Sequence, residues 1–173
     1  MKKALILVIA LATTVMNAQV DKIFKHSGEI VEGQVIRLEE YTVVFVYANE
    51  TAENTIGKYA IERIEYGSSG RVEEVTEKID VSGKDGWENV VILEDKAYIS
   101  GLKKGDEVRG KTGLINFQTG NTGDRKAEKK LKMAAAEMGC QFILLTADKT
   151  TVGANSNMLG GSQAIKKGVA YTY

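Results

Sequence analysis

The seven residues from Tyr41 to Tyr47 are all aromatic or β-branched, and nothing else in the chain commits its backbone to a strand so strongly. The segments around it read the same way. Ile23-Phe24 precedes a polar turn at His26-Ser27-Gly28. Ile30, Val31, Val35, Ile36 and Leu38 then mark a long strand, with Gly33 as the expected bulge or bend and Glu39-Glu40 as a tight turn. After the polar loop from Asn49 to Asn54, Thr55, Ile56 and Tyr59 suggest another strand. Ile61, Ile64 and Tyr66 close the unit through a turn of 3₁₀ helix. Several short strands within so few residues predict a small barrel over residues 19–67, a closure that also removes exposed sheet edges.

How such a chain is held together follows from two absences. Proline is missing, so reversals depend on Gly, Asn and Asp, and the single cysteine, Cys140, cannot form an intrachain disulfide. Hydrophobic packing must do the work. Lys2 and Lys3 followed by the apolar run from Ala4 to Val15 and Asn17-Ala18-Gln19 predict a signal peptide over residues 1–18, cut after Ala18. That leader implies a periplasmic or secreted location. Charges balance at 23 basic and 23 acidic residues, which offers no broad basic surface for nucleic acid. No later apolar run has the length of an integral membrane span.

Residues 68–86 are polar, with only Val72, Val75, Ile79 and Val81 apolar from Arg71 to Gly86, and read as a connecting segment. A second unit, residues 87–173, reads as α+β with one main helix packed on a sheet. Val90 to Leu93 and Ala97 to Ile99 suggest strands, Gly101 to Gly105 a turn, and Glu107 to Gly110 and Leu114 to Phe117 further strands. Ala127, Leu131, Ala134, Ala135 and Met138 recur at helical spacing, with Thr122 or Asp124 as cap and Gly139 as stop. Phe142 to Leu145 follows as a buried strand. Residues 150–162 read as a loop or loose hairpin, and Gly168 to Tyr173 as a last strand with Val169, Tyr171 and Tyr173 on one face.

Few residues offer chemistry. His26, the only histidine, sits in a turn and is expected to be exposed, and without HxH or HExxH spacing no metal site is implied. Cys140 has no CxxC partner and is expected to be a packing residue. The glycines between Gly101 and Gly113 match neither phosphate-loop spacing, so no cofactor is implied. Glu39-Glu40, Glu73-Glu74 and Glu94-Asp95 are adjacent acids of the kind that face water. The helix cations Arg125, Lys126, Lys129, Lys130 and Lys132 form a solvated basic face, with an acidic envelope polymer or membrane headgroups as the sharper partner. Asn49-Glu-Thr51 fits the glycosylation acceptor pattern and carries little weight. If Tyr47 and Tyr59 project outward together they make an aromatic binding platform. With Asn155 and Asn157 of the late loop, they are the expected ligand-binding residues.

Three resemblances add to this reading. The leader ending Asn17-Ala18-Gln19 resembles those of exported Bacteroidetes proteins. Gly28-Glu-Ile-Val-Glu-Gly-Gln-Val35 and Ile61-Glu-Arg-Ile-Glu-Tyr66 resemble SH3-like or Sm-like small barrels of uncharacterised envelope proteins in that group. The stretch from Lys126 to Gly139, followed by Cys140 to Leu145, resembles the helix–Gly–strand element of RcsF-like and YbjQ-like small α/β domains. Those families follow the glycine with Ala-Asn, where this chain has Cys140-Gln141. The RcsF-like sensors are disulfide-bonded lipoproteins, and that role does not carry over to a chain with one cysteine.

The resulting expectation is an exported, non-enzymatic binding or scaffolding protein of the bacterial envelope, with an envelope protein or polymer as partner. The alternatives are a small hydrolase or sugar-modifying enzyme built on gathered carboxylates, and a structural assembly subunit.

Overall fold

A computed structural model describes residues 20–112, 120–152 and 162–173. Two sheets and one long α-helix among these residues make the chain α+β. Strands β1 (Asp21–Lys25), β2 (Ile30–Leu38), β3 (Thr42–Tyr47) and β4 (Glu53–Gly57) form an antiparallel meander. A 3₁₀ turn at Lys58–Ala60 then turns the chain back, so that β5 (Ile61–Glu65) pairs with β1 and β6 (Val72–Glu74) extends the same sheet. Alternation along these strands sends Ile23, Val31, Val43, Phe45, Ile56, Ile61 and Ile64 into one core.

The irregularity in β2 falls between Val35 and Arg37, two residues past the bend expected at Gly33. Asp21 accounts for its position. Its buried carboxylate accepts the Val35 and Gly67 amides, each at 2.9 Å, fastening the bulge and the turn after β5 to one anion. Gly33 serves another purpose: a Cβ there would overlap the Val46 carbonyl oxygen of β3.

The second sheet orders β7 (Val91–Leu93), β9 (Phe142–Val152), β10 (Ser162–Thr172) and β8 (Lys103–Lys111), with β7 parallel to β9 and the other pairs antiparallel. Helix α1 (Gly120–Glu137) covers one face through Leu131, Ala135 and Ala136, which pack with Val90, Val108, Cys140, Ile143 and Ala170. The helix begins before its expected caps, and Thr122 and Asp124 lie inside it. Gly123 is buried there. Gly139 ends the helix at φ 70°, and the Cys140 amide donates back to the Ala135 carbonyl.

Other expectations shift for similar reasons. Ala97–Ile99 belongs to a 3₁₀ turn, Lys96–Ile99, because the Asp95 carboxylate accepts the Ala97 amide at 2.7 Å. Lys103 and Lys104 are strand rather than turn, held by pairing with Thr172 and Tyr171. Strands β9 and β10 run to Val152 and from Ser162, so the hairpin arms are longer than a loop over 150–162 allows. Leu114 to Phe117 lies outside the described residues.

The free face of the second sheet meets the first sheet across a layer of rings. Phe142, Leu144, Leu93 and Tyr171 pack with Tyr59, Tyr98 and Tyr173 there. The 3₁₀ turn at Lys96–Ile99 also seals the β4 edge: the Gly57 amide donates to the Ser100 carbonyl, and the Ser100 hydroxyl donates to Thr55 O at 2.6 Å.

Candidate functional site

After β6 the chain leaves the first sheet as a strap that reaches the second. The Val75 amide donates to the Glu62 carbonyl, and the Ile79 amide donates to the Tyr173 hydroxyl at 3.0 Å. Beneath the strap sits His26, in the turn after β1, with its own amide donating to Ala60 O. Its imidazole is only 7% exposed and leans on the Tyr173 ring at 4.7 Å between centroids. The expectation of an exposed histidine is therefore corrected: the strap and Tyr173, distant in sequence, roof a turn that would otherwise be solvated.

An open groove of about 550 Å³ runs along this junction, lined by His26, Glu62, Glu74, Thr76, Glu77 and Lys78. Glu62 is engaged by Arg63 at 2.9 Å, whereas Glu74 and Glu77 stand exposed without an ion-pair partner among the described residues. The rim is acidic, and Lys78 is drawn aside toward the Tyr173 ring at 5.9 Å.

Hydrogen-bond polarity decides what the groove can do. The Thr76 hydroxyl donates to the Ile61 carbonyl at 2.7 Å, so its single proton is committed. The 3.0 Å contact between His26 Nε2 and Thr76 Oγ1 then runs from an Nε2–H donor to the hydroxyl oxygen. This is the reverse of a base drawing a proton from a nucleophile. The pair works as a fastening: it ties the strap to the floor of a groove lined by three carboxylates and one lysine.

Burial pushes the His26 imidazole below its ordinary value; Lys78 adds to this, while Glu62 and the Thr76 backbone oppose it. A histidine with a folded value below its unfolded value favours the fold in its neutral form. Its contribution is complete above about pH 6.5, the unfolded value, and is lost as pH falls through the folded value. The melting temperature of the parent, relative to His26→Gln, is therefore expected to decline between about pH 7.5 and 5. A difference that stays flat across this range would remove His26 from the pH response.

The expected binding residues fall elsewhere. Tyr47 ends β3 at 41% exposure, with its ring edge-on to Phe45. Tyr59 lies in the 3₁₀ turn beyond Gly57, half-buried, against Tyr98 and Phe142. Gly57 pairs with Thr42, at the opposite end of β3 from Tyr47, so the two tyrosines leave the sheet roughly 17 Å apart, at about 3.4 Å per strand residue. The fold does not bring them together. Asn155 and Asn157 lie outside the described residues.

No family model matches this chain, and no curated protein or solved structure matches it. The groove is therefore judged on its own chemistry. Among the described residues, no cluster of three or more His, Cys, Asp or Glu side chains is placed to hold a metal ion. Cys140 is buried in the helix-side core, and that burial pushes its thiol up, away from the reactive thiolate. Reasoning from sequence missed Thr76 and Glu77 altogether. The one available signal was that Val75, Ile79 and Val81 are spaced to anchor an extended strap.

Proposed function

We propose that this chain is an exported, non-enzymatic binding protein of the bacterial envelope, and that it takes a basic segment of its partner into the groove over His26. The observation that carries the reading is the combination of a fixed floor and an acidic rim. The His26–Thr76–Ile61 hydrogen bonds hold the floor, and Glu62, Glu74 and Glu77 outnumber Lys78 along its rim. Lysine or arginine side chains are the natural counterparts of such a rim.

The first unit is proposed to be an SH3-like barrel. The strand order β4-β3-β2-β1-β5, with a 3₁₀ turn just before β5, supports that assignment. Export, with a periplasmic or secreted destination, is supported by Lys2, Lys3, the apolar run to Val15 and the small residue Ala18. The helix, Gly139 and immediate strand β9 support the likeness of the second unit to the RcsF-like and YbjQ-like domains.

A lysine-rich decapeptide titrated into isotopically labelled protein tests the groove. Amide shifts are expected to concentrate at His26, Glu74, Thr76 and Glu77, and Glu74→Gln/Glu77→Gln is expected to weaken binding by about tenfold. Shifts scattered over the surface, or equal affinity for the variant, would sink the reading.

A further inference from the structure

The outward face of helix α1 presents a second charged surface, opposite in sign and independent of the groove. Arg125, Lys126, Lys129, Lys130 and Lys132 lie within an arc of roughly 160°, at about 100° per residue, turned away from the buried stripe of Ala127, Leu131 and Ala135. Arg125, Lys126, Lys129 and Lys130 are exposed and have no ion-pair partner among the described residues.

Two acids of this helix segment lie near other lysines. Asp124 and Glu128 both act on Lys166, which is buried beneath the helix and paired with Asp148 at 2.5 Å. Glu128 also stands 3.9 Å from Lys132. Exposed Glu137 falls within the same arc, so the outer face keeps these four exposed cations against one exposed acid.

Helix stability does not account for this arrangement. The first turn holds no acid and the last turn no base, so the terminal charges do not complement the helix dipole. Two of them are posed rather than paired. Lys129 Nζ lies 4.6 Å over the Trp87 ring, and Lys130 Nζ donates to the Lys111 carbonyl at 2.9 Å. Both contacts steady the side chains while leaving their charges uncancelled, and Trp87 adds an amphipathic ring to the same surface.

The shape of the face selects the partner. Against another protein's exposed acids, each such pair contributes at most about 1 kcal/mol and often nothing. Against an anionic bilayer, each Lys or Arg near the surface contributes about 1 kcal/mol, and a straight helical face meets a plane without needing shape complementarity. We infer that helix α1 docks this protein peripherally on anionic phospholipid headgroups, through Arg125, Lys126, Lys129 and Lys130 with Trp87 beside them. No helix among the described residues is long and apolar enough to cross a membrane, so the docking concerns the bilayer surface.

Sedimentation of the full chain with phosphatidylcholine vesicles, with and without a third of phosphatidylglycerol, tests this. The apolar run from Ala4 to Val15 is common to every protein compared, so only the charge-dependent part of binding counts. The parent is expected to prefer the anionic vesicles and to lose that preference between about 50 and 500 mM salt. Arg125→Glu/Lys126→Glu is expected to weaken anionic binding by at least about tenfold. Because each new carboxylate stands four residues before Lys129 or Lys130, a favourable helical pairing, the melting temperature should not fall, which separates lost docking from lost folding. Equal binding by parent and variant would overturn the proposal, as would a parent indifferent to headgroup charge. Displacement of the parent from vesicles by polygalacturonate at matched charge would also overturn it, in favour of an acidic polymer.

Discussion

Gly110→Ala should lower the melting temperature by roughly 6–12 °C, a large effect for a single methyl group. Gly110 lies in β8 where helix α1 crosses it, and a Cβ there would overlap the Ala127 carbonyl oxygen and stand 2.8 Å from Leu131 N. These are backbone atoms of a helix already packed through Ala127 and Leu131, both fully buried, so no side chain can rotate aside. The helix must move off the sheet. Forced overpacking costs about 1–3 kcal/mol, and backbone obstruction puts this site at the top of that range. At about 2–4 °C per kcal/mol for a chain of this size, the predicted shift follows. Gly70→Ala is the control: φ is +66° there, but nothing lies within 4 Å, so only local backbone strain of about 1 kcal/mol is expected. Thermal melts of the two variants side by side decide the point; similar shifts would mean that close approach of helix and strand is not the constraint.

Gly110 also shows where sequence reasoning stops. In Glu107-Val-Arg-Gly110 the glycine reads as the end of a strand, yet the strand continues through it to Lys111. Patterning identified the elements whose periodicity is their own: β3, the helix with its apolar stripe, the glycine stop at Gly139, and strand β9. It failed where a distant partner decides. Lys103 and Lys104 are extended because Tyr171 and Thr172 pair with them, and β2 bulges after Val35 because Asp21 reaches across. The polar connection over 68–86 concealed most. Three of its four apolar residues are anchors, with Val75 packing on the first core, Ile79 on the ring layer and Val81 on the helix-side core, while Val72 is exposed.

The candidate site was less legible than the fold for the same reason. His26 between Lys25 and Ser27 has every local mark of an exposed turn residue, and its burial is imposed by Thr76 and Tyr173. No local pattern places a residue under a strap fifty positions away. Conversely, Tyr59 looks like a free aromatic in a turn, while the fold spends its ring on the junction. The basic helix was plain in the sequence. What the sequence could not supply was the approach of Lys166, arriving from β10, to Asp124 and Glu128.

That junction carries the largest loss expected from any single side chain. Phe142 is fully buried at the start of β9, with Tyr59 at 5.3 Å on one side and Tyr173 at 5.3 Å, edge-on, on the other. Truncation of a buried phenylalanine costs about 3–5 kcal/mol, and each aromatic pair lost adds about 0.5–1.5 kcal/mol at full strength. Against a typical stability of about 5–15 kcal/mol, Phe142→Ala approaches global unfolding near physiological temperature. Its consequences should also be spatially ordered. Tyr173 packs on both Phe142 and His26 and accepts the Ile79 amide, so loosening its ring releases one side of the strap and the wall against which His26 rests. Phe142→Leu, which keeps most of the volume without the ring edges, should retain the fold with a smaller loss of stability. Hydrogen exchange on Phe142→Leu is the decisive measurement, with protection expected to fall first at Ile79 and least in the β1–β3 meander. Uniform loss across both sheets would mean that the two layers unfold as one unit, and that the groove cannot be loosened without melting the whole.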